Sequence, residues 1–504
     1  MKKIYSFIMI YLCLLLCFSA CSETNSSTPE ENSKILRIGS QYSLSNLDTH
    51  KDYRGWQTSI YGISETLFKV GDDFSLQPWL AESGESEGLT WTILLKDKVH
   101  FSNGDLLTSD MVIRNLKRVA QENPRFKFLS EFVYKVIDER TFTITTQKPY
   151  PTMLNVLSSC ETGIINLDES TDFDNTVIAT GPFVVKEFEP NGTIKVSRNE
   201  NYWNGSVILD GAEFYHIPEE DALLLAMQNG EIDTYMNVNS AAMEIFEKNK
   251  ETYKLVDVPS PRLQFYILNQ NTLDPIIRKA ITLTIDNQKM MPYLGKIMSP
   301  TSGPFNSLTI YGKVNKEEVD INKAVSLLEE NGYKKNNEGF LEKNGKKITV
   351  NIAFYPGRSL DVIATLIQEQ LRKIGIEAIL TSSEGPDAYI KTSNFDIALL
   401  SMNADIYGDP EYFIVNTLKK GSYYNAGGFL NEECEALIIK LSSETNREKR
   451  AELANKIVQI AIDNDAFGYL LLSNKITVLQ SGISGFAETS PFDFYGINAN
   501  SNKE

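Results

Sequence analysis

The residues of this chain best suited to chemistry are arginines, tyrosines and carboxylates in loops that follow strand patterns. Tyr355-Pro356-Gly357-Arg358 follows a strand pattern and leads into a helix. A helix N-terminus and an arginine both attract anions, so Arg358 is placed to hold a carboxylate; a solvated turn residue is the alternative. Ser401 to Phe413, reading SMNADIYGDPEYF, follows a second strand pattern. Its Asp405, Tyr407 and Tyr412 either line a pocket or brace the loop. In open α/β sheets ligands sit outside the carboxyl ends of the strands, and both loops fall there.

Signatures of catalysis are missing. The chain has no phosphate-binding Walker loop, no dinucleotide G-x-G-x-x-G and no HExxH. Its three histidines, His50, His100 and His216, are too scattered to form a metal-ligand spacing. Glu219-Glu220-Asp221 precede the apolar run Ala222 to Met227 and read as charge in a first helical turn. The expectation is that no residue is catalytic and that no metal ligand or cofactor is present.

The elements that must position those loops are partly legible. Lys347 to Tyr355 alternates Ile348, Val350, Ile352 and Phe354, as a strand does. Ser359 is a candidate cap for a helix from Leu360 to about Ile374, with Ile363, Leu366, Ile367, Leu371 and Ile374 on one face and Gly375 as its stop. Ile376 to Leu380 resumes a strand, and Phe395 to Leu400 is another. Strand, helix and strand at this spacing predict a right-handed crossover with a parallel pair, hence an α/β class. Near the N-terminus, Lys34 to Gly39 reads as a strand. A helix from Trp56 to about Phe68 should follow, with Ile60, Ile63, Ser64 and Leu67 on one face. Thr108 is a candidate N-cap for a helix reaching about Gln121.

The most specific stretch is Thr180 to Gly205, TGPFVVKEFEPNGTIKVSRNENYWNG. Phe183 to Phe188 and Thr193 to Ser197 read as two strands around a Glu189-Pro190-Asn191-Gly192 turn, followed by a loop carrying Tyr202 and Trp203. In order, these residues resemble the T-G-P-[FY]…L-x-R-N-x-x-Y-W signature of the family 5 extracellular solute-binding proteins, the cargo receptors of peptide- and nickel-type ABC importers. Other blocks occur in the family's order: Trp91 to Gly104, Gln228 to Asp233 (QNGEID), Ile277 to Asp286 and Ala324 to Tyr333 (AVSLLEENGY).

The resemblance implies a periplasmic-binding-protein type II fold, with two α/β lobes around a cleft and a small inserted domain on the first lobe. Lobe I would comprise 34–73, 179–260 and 470–504, the inserted domain 74–178, and lobe II 261–469. It also implies that the loop His50 to Trp56 reaches the cleft, which makes Tyr53, Arg54 and Trp56 candidate contacts, and that Arg125 faces it. A second cleft arginine of the nickel-type branch would fall near Thr162, where this chain reads Cys160-Glu161-Thr162-Gly163. The implied cargo is a nickel or other metal chelate, with a di- or oligopeptide as the alternative. The implied partner is an ABC permease, and the receptor is expected to be a monomer. Tyr202 and Trp203 are expected to be packed scaffold rather than cargo contacts. A lipid-anchored hydrolase or an adhesion protein is the rival of a different class; neither a nucleophile constellation nor repeats support it.

With 504 residues, the chain is long enough for two or three domains. A net charge of −17 argues against nucleic acid and against electrostatic docking on anionic lipid. Lys2 and Lys3 precede an apolar run from Ile4 to Ala20, followed by Cys21 and a polar tract. At about 17 residues the run is short for a spanning helix and suits a signal peptide over residues 1–20. Phe18-Ser19-Ala20-Cys21 resembles a lipobox, which implies a lipidated Cys21, a tether over 21–33 and an extracytoplasmic, membrane-anchored protein. Of five cysteines, Cys160 and Cys434 would remain, and the sequence leaves open whether they pair.

Overall fold

The computed structural model describes residues 33–504, and Ile35–Glu504 form one compact unit. The expected signal peptide, Cys21 and nearly all of the tether lie outside the described residues. Among the described residues, no helix is long and apolar enough to cross a membrane.

An 11-stranded mixed sheet organises the chain. From edge to edge it runs Glu377–Ser382, Thr349–Phe354, Ile397–Asn403, Tyr253–Leu268, Phe467–Gln480, Thr234–Met236, Ile35–Ser40, Gly211–His216, Ile194–Arg198 and Phe183–Phe188, with the short Met298–Pro300 strand pairing off this path. The predicted crossover is present. Thr349–Phe354 pairs in parallel with Glu377–Ser382, and the Leu360–Lys373 helix connects them. Ile363, Ile367 and Leu371 on that helix are fully buried, each contributing about 1.5–3 kcal/mol on leaving water. Phe265, Leu400 and Phe413 fill one face of this part of the sheet, and Leu268, Leu399 and Ile367 fill the other. Helices thus cover both faces, as a parallel arrangement requires.

Two long strands join this part of the sheet to the rest. Tyr253–Leu268 and Phe467–Gln480 pair antiparallel along most of their length, with a break in register between Pro259 and Leu263. Pro259 and Pro261 lack the N–H that a ladder needs, so the strand bulges there. Beyond them, Ile35–Ser40 lies parallel to both Gly211–His216 and Thr234–Met236.

A separate four-stranded sheet holds Ala81–Glu87, Thr90–Leu95, Thr141–Thr145 and Val133–Val136. Its core packs Trp91, Phe142 and Ile144 against Val112, Leu116 and Val119 of the Ser109–Glu122 helix. Thr108 caps that helix as predicted, its hydroxyl accepting from Met111 N. The hairpin is also as predicted, with Phe183 opposite Arg198 and Asn191 left-handed in the turn.

Two local expectations fail, and the open question of the two cysteines is answered. The helix after the first strand spans only Arg54–Ile60, because Gly62 turns left-handed at φ 65° and a strand follows at Phe68–Val70. Ser359 makes no side-chain cap; it is itself left-handed at φ 59°, which takes its hydroxyl out of capping geometry. Cys160 and Cys434 do not pair and are buried free thiols.

Candidate functional site

One wall of the site is set by a buried polar knot. Arg118 donates to both Asp48 oxygens at 2.8 Å, and its Nη1 lies 2.9 Å from His50 Nδ1. Arginine can only donate, so Nδ1 accepts and Nε2–H donates to Gly163 O at 3.0 Å. Burial pushes His50 down to about 4, so it stays neutral near pH 7. Burial alone would raise Asp48, but the Arg118 hydrogen bonds and charge hold it below its usual value. Asn123 closes the knot by donating to the His50 and Asp52 carbonyls at 3.2 and 3.0 Å. Gly55 then passes so close to Cys160 that a Cβ would lie 2.5 Å from its carbonyl oxygen. The next residue, Trp56, is thereby delivered to a pocket.

That pocket is lined by Tyr42, Trp56, Phe214, Met236, Asn237 and Asp493, among others. It lies at the carboxyl ends of the parallel strands Ile35–Ser40 and Thr234–Met236, where the general rule for α/β sheets puts ligands. The non-atom space there is about 420 Å³, open solvent included.

Two arginines from the opposite part of the sheet act electrostatically on Asp493 in its lining. Arg358 is exposed at φ 54° in the loop after Thr349–Phe354. Arg262 follows the Pro259–Pro261 bulge and pairs across strands with Asn403. Burial lowers the Arg262 pKa and the neighbouring Arg358 lowers it further, against the opposing pull of Asp493, Tyr355 and Tyr42. Among the described residues, no carboxylate stands within 4.0 Å of either guanidinium. Lys475, only 2% exposed, donates to Ala487 O at 2.8 Å, and burial pushes it down to about 8. The site is therefore locally cationic inside an acidic protein, with one acidic residue, Asp493, in the pocket lining.

The residues singled out from sequence divide into two groups. Trp56 lines this pocket, and Arg358 acts electrostatically on its Asp493. Arg125 instead donates to Glu161 at 2.7 Å and covers the exposed Tyr53 ring at 3.8 Å. Where the nickel-type pattern would have a second arginine, this chain has a buried acid that neutralises the first. Tyr407 joins the same cluster: its hydroxyl lies 2.8 Å from Ser159 Oγ, and its carbonyl accepts from Asn155 at 2.7 Å. Arg54 turns back on its own loop, toward Ser45 Oγ at 3.2 Å and Asp52 at 3.5 Å. Asp405 braces its loop, accepting from the Tyr311 hydroxyl and from Gly408 N at 2.6 Å. Tyr412 is about half exposed, within electrostatic reach of Tyr53 and Arg125.

Tyr42, Arg262 and Asp493 were not singled out from sequence. One local signal was available: Pro-Ser-Pro-Arg interrupts an otherwise strand-like run at 259–262. Tyr202 and Trp203 are scaffold: with Trp79 they donate to the buried Glu65 at 2.8–2.9 Å.

Comparison with known proteins agrees with this architecture. The chain is 24% identical over 435 residues to the nickel-binding protein NikA of Staphylococcus aureus, covering 85% of this chain and 87% of that one. It is 24% identical over 469 residues to the oligopeptide-binding protein AppA of Bacillus subtilis, covering 86% and 84%. A nickel ABC transporter structure from Bacillus halodurans superposes with a TM-score of 0.86 at 24% identity, over 93% of this chain and 100% of that one. The fold is therefore the expected periplasmic-binding-protein type II arrangement. A family model for the middle region of the bacterial extracellular solute-binding proteins, family 5, matches residues 75–425. The chain belongs to the bacterial extracellular solute-binding proteins of family 5.

Proposed function

We propose that this protein captures a small carboxylate-bearing cargo, a nickel or other metal chelate, and delivers it to the permease of an ABC importer. The observation that carries the reading is the Arg262–Arg358 pair. Two guanidiniums beside one aromatic-lined pocket, neither neutralised by a carboxylate among the described residues, are matched to carboxylate oxygens. A metal bound this way would be carried inside its chelator, through the chelator's carboxylates rather than through protein ligands. The nickel-binding names of the Staphylococcus aureus relative and the Bacillus halodurans structure favour this cargo.

In this reading Cys21 carries the lipid anchor, residues 21–33 are the tether, and the receptor works as a monomer without a catalytic step. The division into 34–73, 179–260 and 470–504, the insert 74–178, and 261–469 places the hinge next to the Pro259–Leu263 bulge. Cargo that touches Trp56 on one side and Arg262 or Arg358 on the other favours closure, because only the closed form offers both sets of contacts. A short peptide is the second reading. Its terminal carboxylate suits the same arginines, and AppA is named for oligopeptides.

Native mass spectrometry of the full chain purified from its own host separates the two. A bound mass of nickel plus a chelator is expected; a ladder of peptide masses would replace the chelate reading with the peptide one. Mass analysis of the N-terminal peptide, with Cys21→Ala as control, tests the anchor, since an unmodified Cys21 would remove it.

A further inference from the structure

The loop that follows Ile397–Asn403 is bonded to two remote parts of the chain at once. At its root, Asp405 accepts from the Tyr311 hydroxyl and from Gly408 N at 2.6 Å. The buried Arg450 donates to Asp409 at 2.9 and 2.7 Å and to Glu411 at 2.9 Å. Tyr311 and Arg450 both lie within 261–469, so the loop is stiffened from that side. Its tip is held from the other side. Asn155 donates to the Tyr407 carbonyl at 2.7 Å, and the Tyr407 hydroxyl lies 2.8 Å from Ser159 Oγ. Gly408, left-handed at φ 76°, passes so close to Phe74 that a Cβ would lie 2.7 Å from its carbonyl oxygen. Tyr407 packs against the apolar cluster of Phe74, Cys160 and Phe492, as Trp56 of the pocket does.

The polar end of Tyr407 meets a prepared partner. Ser159 and Glu161 are buried, Ser159 Oγ stands 2.5 Å from Glu161 Oε2, and Arg125 donates to the other Glu161 oxygen. A serine has one hydroxyl proton and a carboxylate can only accept. That proton therefore goes to Glu161, and the Tyr407 O–H turns to Ser159 Oγ. With its hydroxyl and carbonyl both engaged, Tyr407 is suited to joining two parts of the protein and not to holding cargo.

We infer that Tyr407 is a clasp, a positioning residue that holds 261–469, with its Arg262 and Arg358, against the Trp56 wall. It sets how long cargo stays bound without touching it. This inference rests on the reading of two lobes closing about a hinge, given above, and is independent of which cargo is carried. Each hydrogen bond of the clasp shifts the closed fraction by about fivefold, so cargo contacts supply only the remainder of closure.

The test is pulsed electron paramagnetic resonance on the full chain in detergent. Spin labels are coupled to a ketone-bearing amino acid placed at the exposed positions Lys127 and Lys419, one in each part. A dominant short distance is expected in the parent. A longer population should grow about fivefold in Tyr407→Phe and further in Tyr407→Ala. In a Ser159→Ala background, Tyr407→Phe should have little further effect, because its partner is already gone. Release of two probes, nickel(II)–L-histidine and the dipeptide Ala-Phe, should quicken in Tyr407→Phe by the same factor, with association rates within about twofold of the parent. A merely structural tyrosine would lower the unfolding midpoint while distances and release rates stayed as they were, and that result overturns the inference. If Tyr407→Ala misfolds by circular dichroism, Tyr407→Phe, which keeps the ring, decides. If the distances lengthen as expected but neither probe binds, the clasp stands and the cargo reading falls. If both probes bind and Arg262→Met weakens them while the Tyr407 variants leave distances and release unchanged, the cargo reading survives and the clasp falls.

Discussion

The Arg125 guanidinium donates to Glu161 at 2.7 Å while lying 3.8 Å over the Tyr53 ring. Glu161 is 3% exposed and has Ser159 Oγ at 2.5 Å from its other oxygen. The pair ties the Pro124–Glu131 segment to the Cys160–Thr162 turn and, through Tyr407, to the loop after Ile397–Asn403. An arginine whose charge is already matched by a buried acid has little left for an anionic cargo.

Arg125→Ala should therefore act on stability rather than on affinity. It leaves Glu161 a buried carboxylate without its ion pair. Because Arg125 is itself 38% exposed, the loss should be about 1–2 kcal/mol, below that of a fully buried pair. Cargo affinity should move by less than about threefold, under 1 kcal/mol. Urea unfolding and cargo titration on the same variant check both. A large loss of affinity at unchanged stability would make Arg125 a cargo contact.

Asp405 gives a pH dependence with a definite sign. Burial raises it to about 7, against the opposing hydrogen bonds from Tyr311 and Gly408 N, with Asp409 adding to the rise. A carboxylate raised in the folded state is protonated there while the unfolded chain has already ionised. Stability from this group is thus full below about pH 4, the unfolded value, and is lost as pH rises to about 7. The whole effect is on the order of 4 kcal/mol for a shift of this size. Asp405→Asn should flatten that part of the profile, as measured by urea unfolding at a series of pH values from 4 to 8. An unaltered slope would mean that the carboxylate is ionised throughout.

The parts of this molecule that sequence revealed are those whose signals are local. Ile363, Ile367 and Leu371 recur at helical spacing, and Gly375 ends the pattern, so the crossover was readable. Phe183 to Arg198 declared a hairpin because its turn residues stand between two alternating runs. The cleft was readable only in part, since its members are brought together by pairing across more than 200 residues. Arg262 sits on a strand whose partner begins at Phe467, and its two prolines look like breakers when read locally. Asp493 lies outside any regular element. Nothing near Arg125 in sequence announces that Glu161 will neutralise it.

Arg262 should show a trade between stability and binding. It is a partly buried cation beside a second cation, and no carboxylate among the described residues is in contact with it, so the folded protein bears a desolvation cost for holding it. Arg262→Met keeps the length and the apolar stem of the side chain while removing that cost. The variant should be as stable as the parent or more stable by up to about 1 kcal/mol, since strained functional groups are commonly replaced with a gain in stability. It should also lose cargo affinity by about tenfold or more, the value of a charge-assisted hydrogen bond to a carboxylate. Arg358 is exposed and carries no such cost, so Arg358→Met should weaken binding without the gain in stability. Thermal unfolding of both variants, paired with cargo titration, separates these roles. If Arg262→Met is strongly destabilised, the arginine has an internal partner and its charge is not held for cargo.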